Sequence, residues 1–532
     1  MKRKLLILIC IIVTAPVFAQ QFAWVHSRNV QYALNPAMPR HQLHVSTAGL
    51  VFEGGLDSLT LIYGSDIYGT VTLNCYDSQG ALQWNVHFDT KVMIGPMTSD
   101  ASGNVIVSGN YMETMHIGQT DSMLNTGVGF DVNTFLICFN SSGGIVWKRN
   151  LTVSHTEIAR VDAIGFDRSN NVWYGYGDFF NTNINRLNNS GADVQTITVV
   201  GGKTLGGFCF DPSGNMFITG SVEMGNIQIA DLTINAPDTY NMYVARLEAG
   251  ATHTTWIKVA HDATFQSPCI VPDPWGNAYL SGNLMDTTVW GNISFRHPQW
   301  VYDIFLTKVD AAGDFHWGIQ VPQTPTISGD FECGMNSFLD VDQDGNAYIT
   351  GATRNHVDWG NGVVSGSTAG IYSQLSYISF DSSGTARWVL NGGTGSMGYN
   401  QALNLDVSDQ GDIYFTAGVT GAAVFGNLTT NNSGNYASIV GKIDPNSPNG
   451  IFSPAIENSM MLYPNPASSR IYLSHTFADA DLEIFDFTGK CIFAYRGTVN
   501  SVDVSHFVPG VYFIRVKDEH GVSSQRFVIS RN

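Results

Sequence analysis

Lysine and arginine are scarce in this chain. Its 532 residues hold 26 of them against 44 aspartates and glutamates, a formal net charge of −18. Proteins that grip a phosphate backbone need clustered basic side chains, so this balance excludes a nucleic-acid partner. Charged residues of both signs make up only 13% of the chain, too few for the solvated faces of many surface helices. Long apolar runs are missing as well. The stretch Leu5 to Val13 is shorter than the roughly 18 residues that a membrane span requires, and no other segment competes with it. The cysteines form no CxxC pair, which removes the common zinc and thiol-redox patterns. Gly-x-Ser-x-Gly, His-Glu-x-x-His and the phosphate-binding glycine loop are all absent. The expectation is therefore a chain that is not an enzyme, without a bound cofactor.

What the chain does have is glycine, 55 residues of it, together with abundant Asn, Ser and Thr. That composition suits short strands joined by tight turns, an all-β fold. Lys2, Arg3 and Lys4 ahead of the apolar run, with Val17, Phe18 and Ala19 after it, read as a secretory leader cleaved after Ala19, over residues 1–19. Cys10 falls inside that leader and follows Ile9, where a lipoprotein signal needs a small residue. The other six cysteines, Cys75, Cys138, Cys209, Cys269, Cys333 and Cys491, are scattered. Cys75 and Cys138 hold the same place in successive repeats and are expected too far apart to bridge.

The repeat is the main signal. Asp342-Gln-Asp344-Gly345-Asn346 runs into Ala347-Tyr348-Ile349-Thr350-Gly351, and relatives of it start at Asp100, Asp167, Asp211, Asp273 and, in degenerate form, Ser408. A second motif follows each copy: an apolar strand, an acidic or amide residue, a Gly and often a Trp. Asp77 to Gly80 with Trp84, Asn140 to Gly143 with Trp147, Asp310 to Gly313 with Trp317, and Asp381 to Gly384 with Trp388 are examples. In both motifs the Asp or Asn accepts a backbone N–H two residues on, and the Gly takes a positive φ, which reverses the chain between antiparallel strands. Two hairpins per repeat, at a period of about 62 residues, specify a β-propeller. Residues 20–455 hold seven blades on this reading, with six or eight as alternatives. The seventh repeat lacks its Trp-bearing strand, and Phe22-Ala-Trp24-Val-His26 is an orphan copy of one. The N-terminal strand is thus expected to complete the last blade.

Over roughly residues 22–455 the spacing resembles a β-propeller repeat family of bacterial surface and secreted proteins, in which Asp-x-x-Gly-Asn-x-Tyr-x-Thr-Gly precedes Phe-Leu-x-Lys-x-Asp-x-x-Gly. Ser408, Ala417, Cys75 and Cys138 depart from it. Such a fold implies no particular reaction. A linker over 446–457 leads to a second module, 458–532, whose alternating strands predict a small Ig-like β-sandwich. Its order of Tyr463-Pro464-Asn465-Pro466, then Asp486-x-x-Gly489-Lys490, then Pro509-Gly510-x-Tyr512, and the terminus Arg526-Phe-Val-Ile529 resembles the type A C-terminal sorting domain of type IX secretion cargo in Bacteroidetes. The resemblance implies the secretion machinery as a partner, and a destination outside the cell or on its surface.

Candidate sites follow from chemistry. Asp340, Asp342 and Asp344 alternate as carboxylates in a calcium loop do, although sister copies make the same turn without the extra acids. Trp84, Trp147, Trp317 and Trp388 recur at one repeat position and are expected to pack blade against blade. Trp300, Tyr302, Tyr240 and Tyr243 lie in the variable connections, on the face opposite the tight turns, and are the better candidates for contacting a ligand. His41 and His44 are too isolated in sequence to be metal ligands. The expected function is binding or adhesion to a glycan or protein. The alternative is a polysaccharide hydrolase or lyase, for which no acid and base pair can be picked.

Overall fold

The computed structural model describes residues 19–30, 41–63, 66–125, 132–151, 160–177, 180–188, 191–261, 268–284, 287–296, 303–322, 329–366, 373–394, 400–430, 436–447, 462–486, 490–518 and 521–531. The expected leader, residues 1–19, lies outside them except for Ala19. All regular structure among the described residues is strand. The chain divides into two compact units, 1–449 and 450–532.

In the first unit most of the described strands sort into antiparallel sets of four, each called a blade and numbered in chain order. Blade 1 is Gln42–Val45, Val51–Tyr63, Asp66–Tyr76 and the first half of Leu82–Ser99. The second half of that strand opens blade 2, which continues with Val105–Tyr111, Asn133–Phe139 and Ile145–Leu151. Blade 3 runs from Ala163–Phe166 to Asp193–Val200, and blade 4 from Gly202–Phe210 to Thr254–His261. Blade 5 runs from Cys269–Pro272 to Phe315–Gln320, and blade 6 from Leu339–Val341 to Ala386–Thr394. Blade 7 takes Asn400–Val407, Ile413–Thr420 and Tyr436–Ser447 from the end of the unit, and its outermost strand, Ala19–Asn29, from the start. The innermost strands of consecutive blades touch one another in a closed cycle. This is a propeller-like ring in which each sheet buries both faces against its neighbours.

The turns form as their residues dictate. Asp100 Oδ1 accepts the N–H of Ser102 and of Asn104, both at 2.9 Å, and Gly103, at φ 78°, donates to Asp100 O. The same bonds recur at Asp211, Asp273, Asp342, Asp77, Asn140, Asp310 and Asp381. In blade 3 Asn170 takes the positive φ instead, as Asn tolerates.

The recurring tryptophans join blades. Nε1 of Trp84, Trp256 and Trp317 donates to the turn carbonyl of Ser141, Ala311 and Ser382 in the following blade, at 2.9, 2.9 and 3.1 Å. The turn glycine of that blade lies flat on the indole: a Cβ on Gly143 would stand 2.9 Å from Trp84. Trp24 of the N-terminal strand does the same to blade 1, donating to Ser78 O at 3.2 Å with Gly80 against its ring. The junction that closes the ring therefore has the geometry of the internal ones. In register, Phe22 pairs with Ile443 and Ser27 with Ile439, and Phe22 is packed edge-on to Tyr377, Phe415 and Phe425.

Blades diverge outward, and small hairpins from the second connection of several blades fill the wedge. They turn at Trp290-Gly291-Asn292 and Phe425-Gly426-Asn427, with both glycines at φ 59°. Each pairs with, or bonds to, the outermost strand of the preceding blade, as Ile229 does with Val199, Phe425 with Gly392 and Ile117 with Phe88. This covers strand edges that would otherwise invite pairing with another chain.

The second unit is a five-stranded arrangement in the order Leu462–Tyr463, Arg470–Asp486, Gly510–Asp518, Gly521–Ile529, with Cys491–Asp503 also paired to Arg470–Asp486. Ile471, Leu482, Ile484, Tyr512, Ile514 and Phe527 build its core.

Candidate functional site

The carboxylates of the tight-turn face are occupied. Asp342 Oδ1 serves the N–H groups of Asp344 and Asn346, and Oδ2 takes Asn346 Nδ2 at 2.8 Å and the Tyr348 hydroxyl at 2.7 Å. Asp340 points elsewhere: its Oδ2 accepts the N–H of Val407 in the next blade at 2.7 Å. Asp344 is exposed. The three carboxylates suggested by the calcium-loop pattern do not converge, and among the described residues no group of three or more His, Cys, Asp or Glu could hold a metal ion. Burial, and next the charge of Asp406, push the Asp340 carboxyl well above the usual carboxylate range.

Basic side chains of the third strand are absorbed in the same way. Lys308 lies over the Tyr279 ring at 5.0 Å and reaches Asp273 Oδ2 at 2.8 Å, while Lys442 lies over Tyr414 at 5.6 Å and reaches Asp412 Oδ2 at 2.7 Å. Arg246 repeats this with Phe217 and Asp211. Burial raises Asp273, but the bonds from Asn277, Lys308 and backbone N–H groups outweigh it and hold the group below its ordinary value. The Lys of the repeat motif thus neutralises the buried acid of the first turn. In blades 1 and 2 the position holds Cys75 and Cys138, whose thiols burial pushes up to about 12. All six cysteines of the described residues are unpaired, and buried protonated thiols are inert.

On the connection side the outcome is mixed. Trp300 and Tyr302 lie outside the described residues. Tyr243 is wholly buried, 0% exposed, because it lies in the run Asn241 to Ala245 that is covered on both faces of the sheet, and it is corrected from a ligand contact to a core residue. Tyr240, three residues earlier and past the edge of that core, is 60% exposed. Around it the structure assembles residues that have no sequence motif: Phe180 at 71% exposure and Met224 at 63%. Lys203 Nζ lies 5.9 Å from the Phe180 ring and 3.4 Å from Glu223 Oε1, and Glu223 stands opposite Tyr240 in the hairpin register. Phe180 comes from the second connection of blade 3, Lys203 from the first strand of blade 4, and the rest from the blade 4 hairpin. Only a single exposed aromatic per segment was available as a signal, and exposure is not legible in a single sequence.

The sorting-motif residues mostly serve the fold of their own unit. Asn465 accepts the N–H of Val528 at 2.8 Å and donates to Arg526 O at 3.2 Å, which ties the entry of the unit to its last strand. Pro464 and Pro466 flank that Asn in cis linkages. Lys490 N–H bonds to Asp486 Oδ1 at 3.1 Å, and Gly489 lies outside the described residues. Gly510 pairs with Ile529, and buried Tyr512 donates to Val508 O at 2.8 Å while its ring packs on Phe507 and Phe527. Tyr463 is exposed and stacks on Tyr472 at 5.8 Å.

Residues 461–530 match the family described as the secretion system C-terminal sorting domain. That match marks the chain for export by type IX secretion, to the cell surface or the extracellular space. No curated protein matches the sequence. Among solved structures the chain is similar to PorZ, a surface component of the type IX secretion system of Porphyromonas gingivalis, at 12% identity and TM-score 0.34, over 93% of this chain and 70% of that one. It is also similar to virginiamycin B lyase of Staphylococcus aureus, at 9% identity and TM-score 0.38, over 78% of this chain and 98% of that one. No helix of the described residues is long and apolar enough to cross a membrane.

Proposed function

We propose that the chain is a seven-bladed propeller, delivered to the cell surface or released by type IX secretion, which binds a glycan or protein through its connection face. The observation that carries this reading is the exposed cluster on the connection face. Turn-face carboxylates and lysines satisfy one another and the backbone. On the connection face Phe180, Met224 and Tyr240 stand exposed around the Lys203–Glu223 ion pair. Exposed aromatics gathered around a few polar groups mark interaction sites, and the paired charges leave this patch electrically neutral in a strongly acidic chain.

The test is a screen of the purified mature chain against glycan and surface-protein arrays, followed by titration of Phe180→Ala with Tyr240→Ala. The reading expects a ligand whose affinity falls tenfold or more in the double variant, the loss of about 1.4 kcal/mol or more that marks a contact residue. Unchanged affinity rules out the patch, and the same titration on Trp300→Ala with Tyr302→Ala then tests the other connection. Release of products from an arrayed glycan would favour the hydrolase or lyase reading.

A further inference from the structure

At the inner ends of two successive blades the structure forms the same clasp, and at the next junction its chemistry changes. Two residues before its first turn, blade 6 has Asp340 and blade 7 has Asp406. Each carboxylate accepts the N–H of the residue just before the turn in the following blade: Asp340 takes Val407 N, and Asp406 takes Val45 N, both at 2.7 Å. That N–H needs a partner because of the ladder. In antiparallel pairs bonded and unbonded positions alternate, and the turn residue itself is bonded, as in Ser46 N–H to Leu50 O. The residue before it therefore directs its N–H away from its own sheet.

From blade 1 to blade 2 the clasp changes chemistry. The position of the acid is taken by His44, and the position before the turn by Ser99. His44 Nε2 lies 2.8 Å from Ser99 Oγ, and His44 Nδ1 lies 3.4 Å from Asp406 Oδ2. The turn bond Asp100 N–H to Asn104 O is in place and Ser99 pairs with Val105, so the Ser99 N–H points away from the sheet as those of Val45 and Val407 do. In this blade His44 engages the Ser99 hydroxyl in place of its N–H. A serine, a histidine and an acid come together from three successive blades, with the Ser99 N–H turned off its own sheet beside them. His44 and Asp406 are each about one-fifth exposed, 20% and 21%, and Ser99 is half-buried.

We propose that Ser99, His44 and Asp406 form a nucleophilic site that hydrolyses carboxylic esters at the tight-turn end of the ring's axis. This goes beyond the binding role and lies on the opposite face. With the His44 ring protonated at Nδ1 towards Asp406, Nε2 takes the Ser99 hydroxyl proton as Oγ attacks the ester carbonyl carbon. The carbonyl oxygen becomes the oxyanion and meets the Ser99 N–H. The carbon–oxygen bond to the leaving alcohol breaks, and His44 returns the proton to that alkoxide. Water then attacks the acyl-Ser99 carbonyl and loses a proton to His44, Ser99 Oγ leaves and recovers that proton, and the carboxylic acid departs. Esters are the substrate class because one backbone donor stabilises the oxyanion weakly, which favours the more reactive acyl groups over amides.

The probe is a fluorophosphonate, which phosphonylates activated serines, applied to the intact mature chain together with p-nitrophenyl acetate as substrate. The expected result is one covalent adduct per chain, mapped by peptide mass to Ser99 and lost in Ser99→Ala. Ester hydrolysis should fall by about 100-fold or more in His44→Gln. No adduct on the folded wild-type chain, an adduct on another residue, or a His44→Gln rate equal to wild type overturns the proposal. Mapping on the wild-type chain decides the matter even if a variant melts early. A failed ligand screen leaves this test untouched, and a failed labelling leaves the binding face untouched.

Discussion

His41 shows how far one side chain can tie this fold to pH. Its ring is buried, 3.2 Å from Glu53 Oε1, and burial, the largest effect, lowers its pKa from 6.5 to about 4. An unfolded chain therefore binds one more proton than the folded chain between those values, so stability is full above about 6.5 and falls as pH drops towards 4. The full loss is roughly 3 kcal/mol for one such group. Melting in urea should show a stability that declines from pH 7 to pH 4.5, and His41→Gln should flatten that decline. Asp340 has the opposite sign. Its raised pKa means stability that is present below the ordinary carboxylate value and is lost as pH rises, so Asp340→Asn should gain on the wild type between pH 5 and pH 8. Two turn glycines separate conformation from packing. Gly411, at φ 82° with nothing near its missing Cβ, and Gly80, at φ 82° with Trp24 at 2.8 Å, need the same backbone. Gly411→Ala should cost about 1 kcal/mol, and Gly80→Ala should add about 1–3 kcal/mol of overpacking, read from the two denaturation midpoints.

At the scale of elements the N-terminal strand is the most exacting. Besides Trp24 and Phe22 it contributes Arg28, which pairs with buried Glu53 at 2.5 Å and with Asp57 at 2.8 Å, while Asn74 Nδ2 donates to Glu53 at 2.7 Å. Arg28→Ala leaves Glu53 buried without its cation, and a loss of about 3–5 kcal/mol is expected. Arg28→Met combined with Glu53→Leu should recover most of it by replacing an ion pair with apolar contact. Equal stability of single and double variants would show that the pair is not coupled. The hairpins obey a different rule. Their Gly-Asn tips are written in the sequence, but their pairing with the preceding blade is a matter of the wedge between sheets, which no local pattern encodes.

For the whole molecule, legibility follows the range of the interaction. The turns of Asp100, Asp211 and Asp342 were readable because a carboxylate and a glycine within five residues determine them. The closing strand was readable from 420 residues away only because a repeat made its absence from the last blade visible, and the register of Phe22 with Ile443 is the result. Tyr243 was misassigned because Tyr240 and Tyr243 look alike in sequence and differ in whether they lie within the stretch of strand that is buried on both faces. His44 seemed isolated because Ser99 and Asp406 lie 55 and 362 positions away, and ring closure is what brings them together. The sorting motif was readable as a motif, whereas the role of Asn465 in tying down the last strand needed the fold.

Closure of the ring by the N-terminal strand carries the rest of the account, since blade 7, the Trp24 junction and the His44–Asp406 approach all depend on it. Calorimetric melting of residues 20–532 beside a chain that starts at Asn29 tests it directly. The account predicts that the shortened chain melts at a markedly lower temperature, with blade 7 and blade 1 losing protection from hydrogen exchange together. Coincident melting curves for the two chains would contradict it.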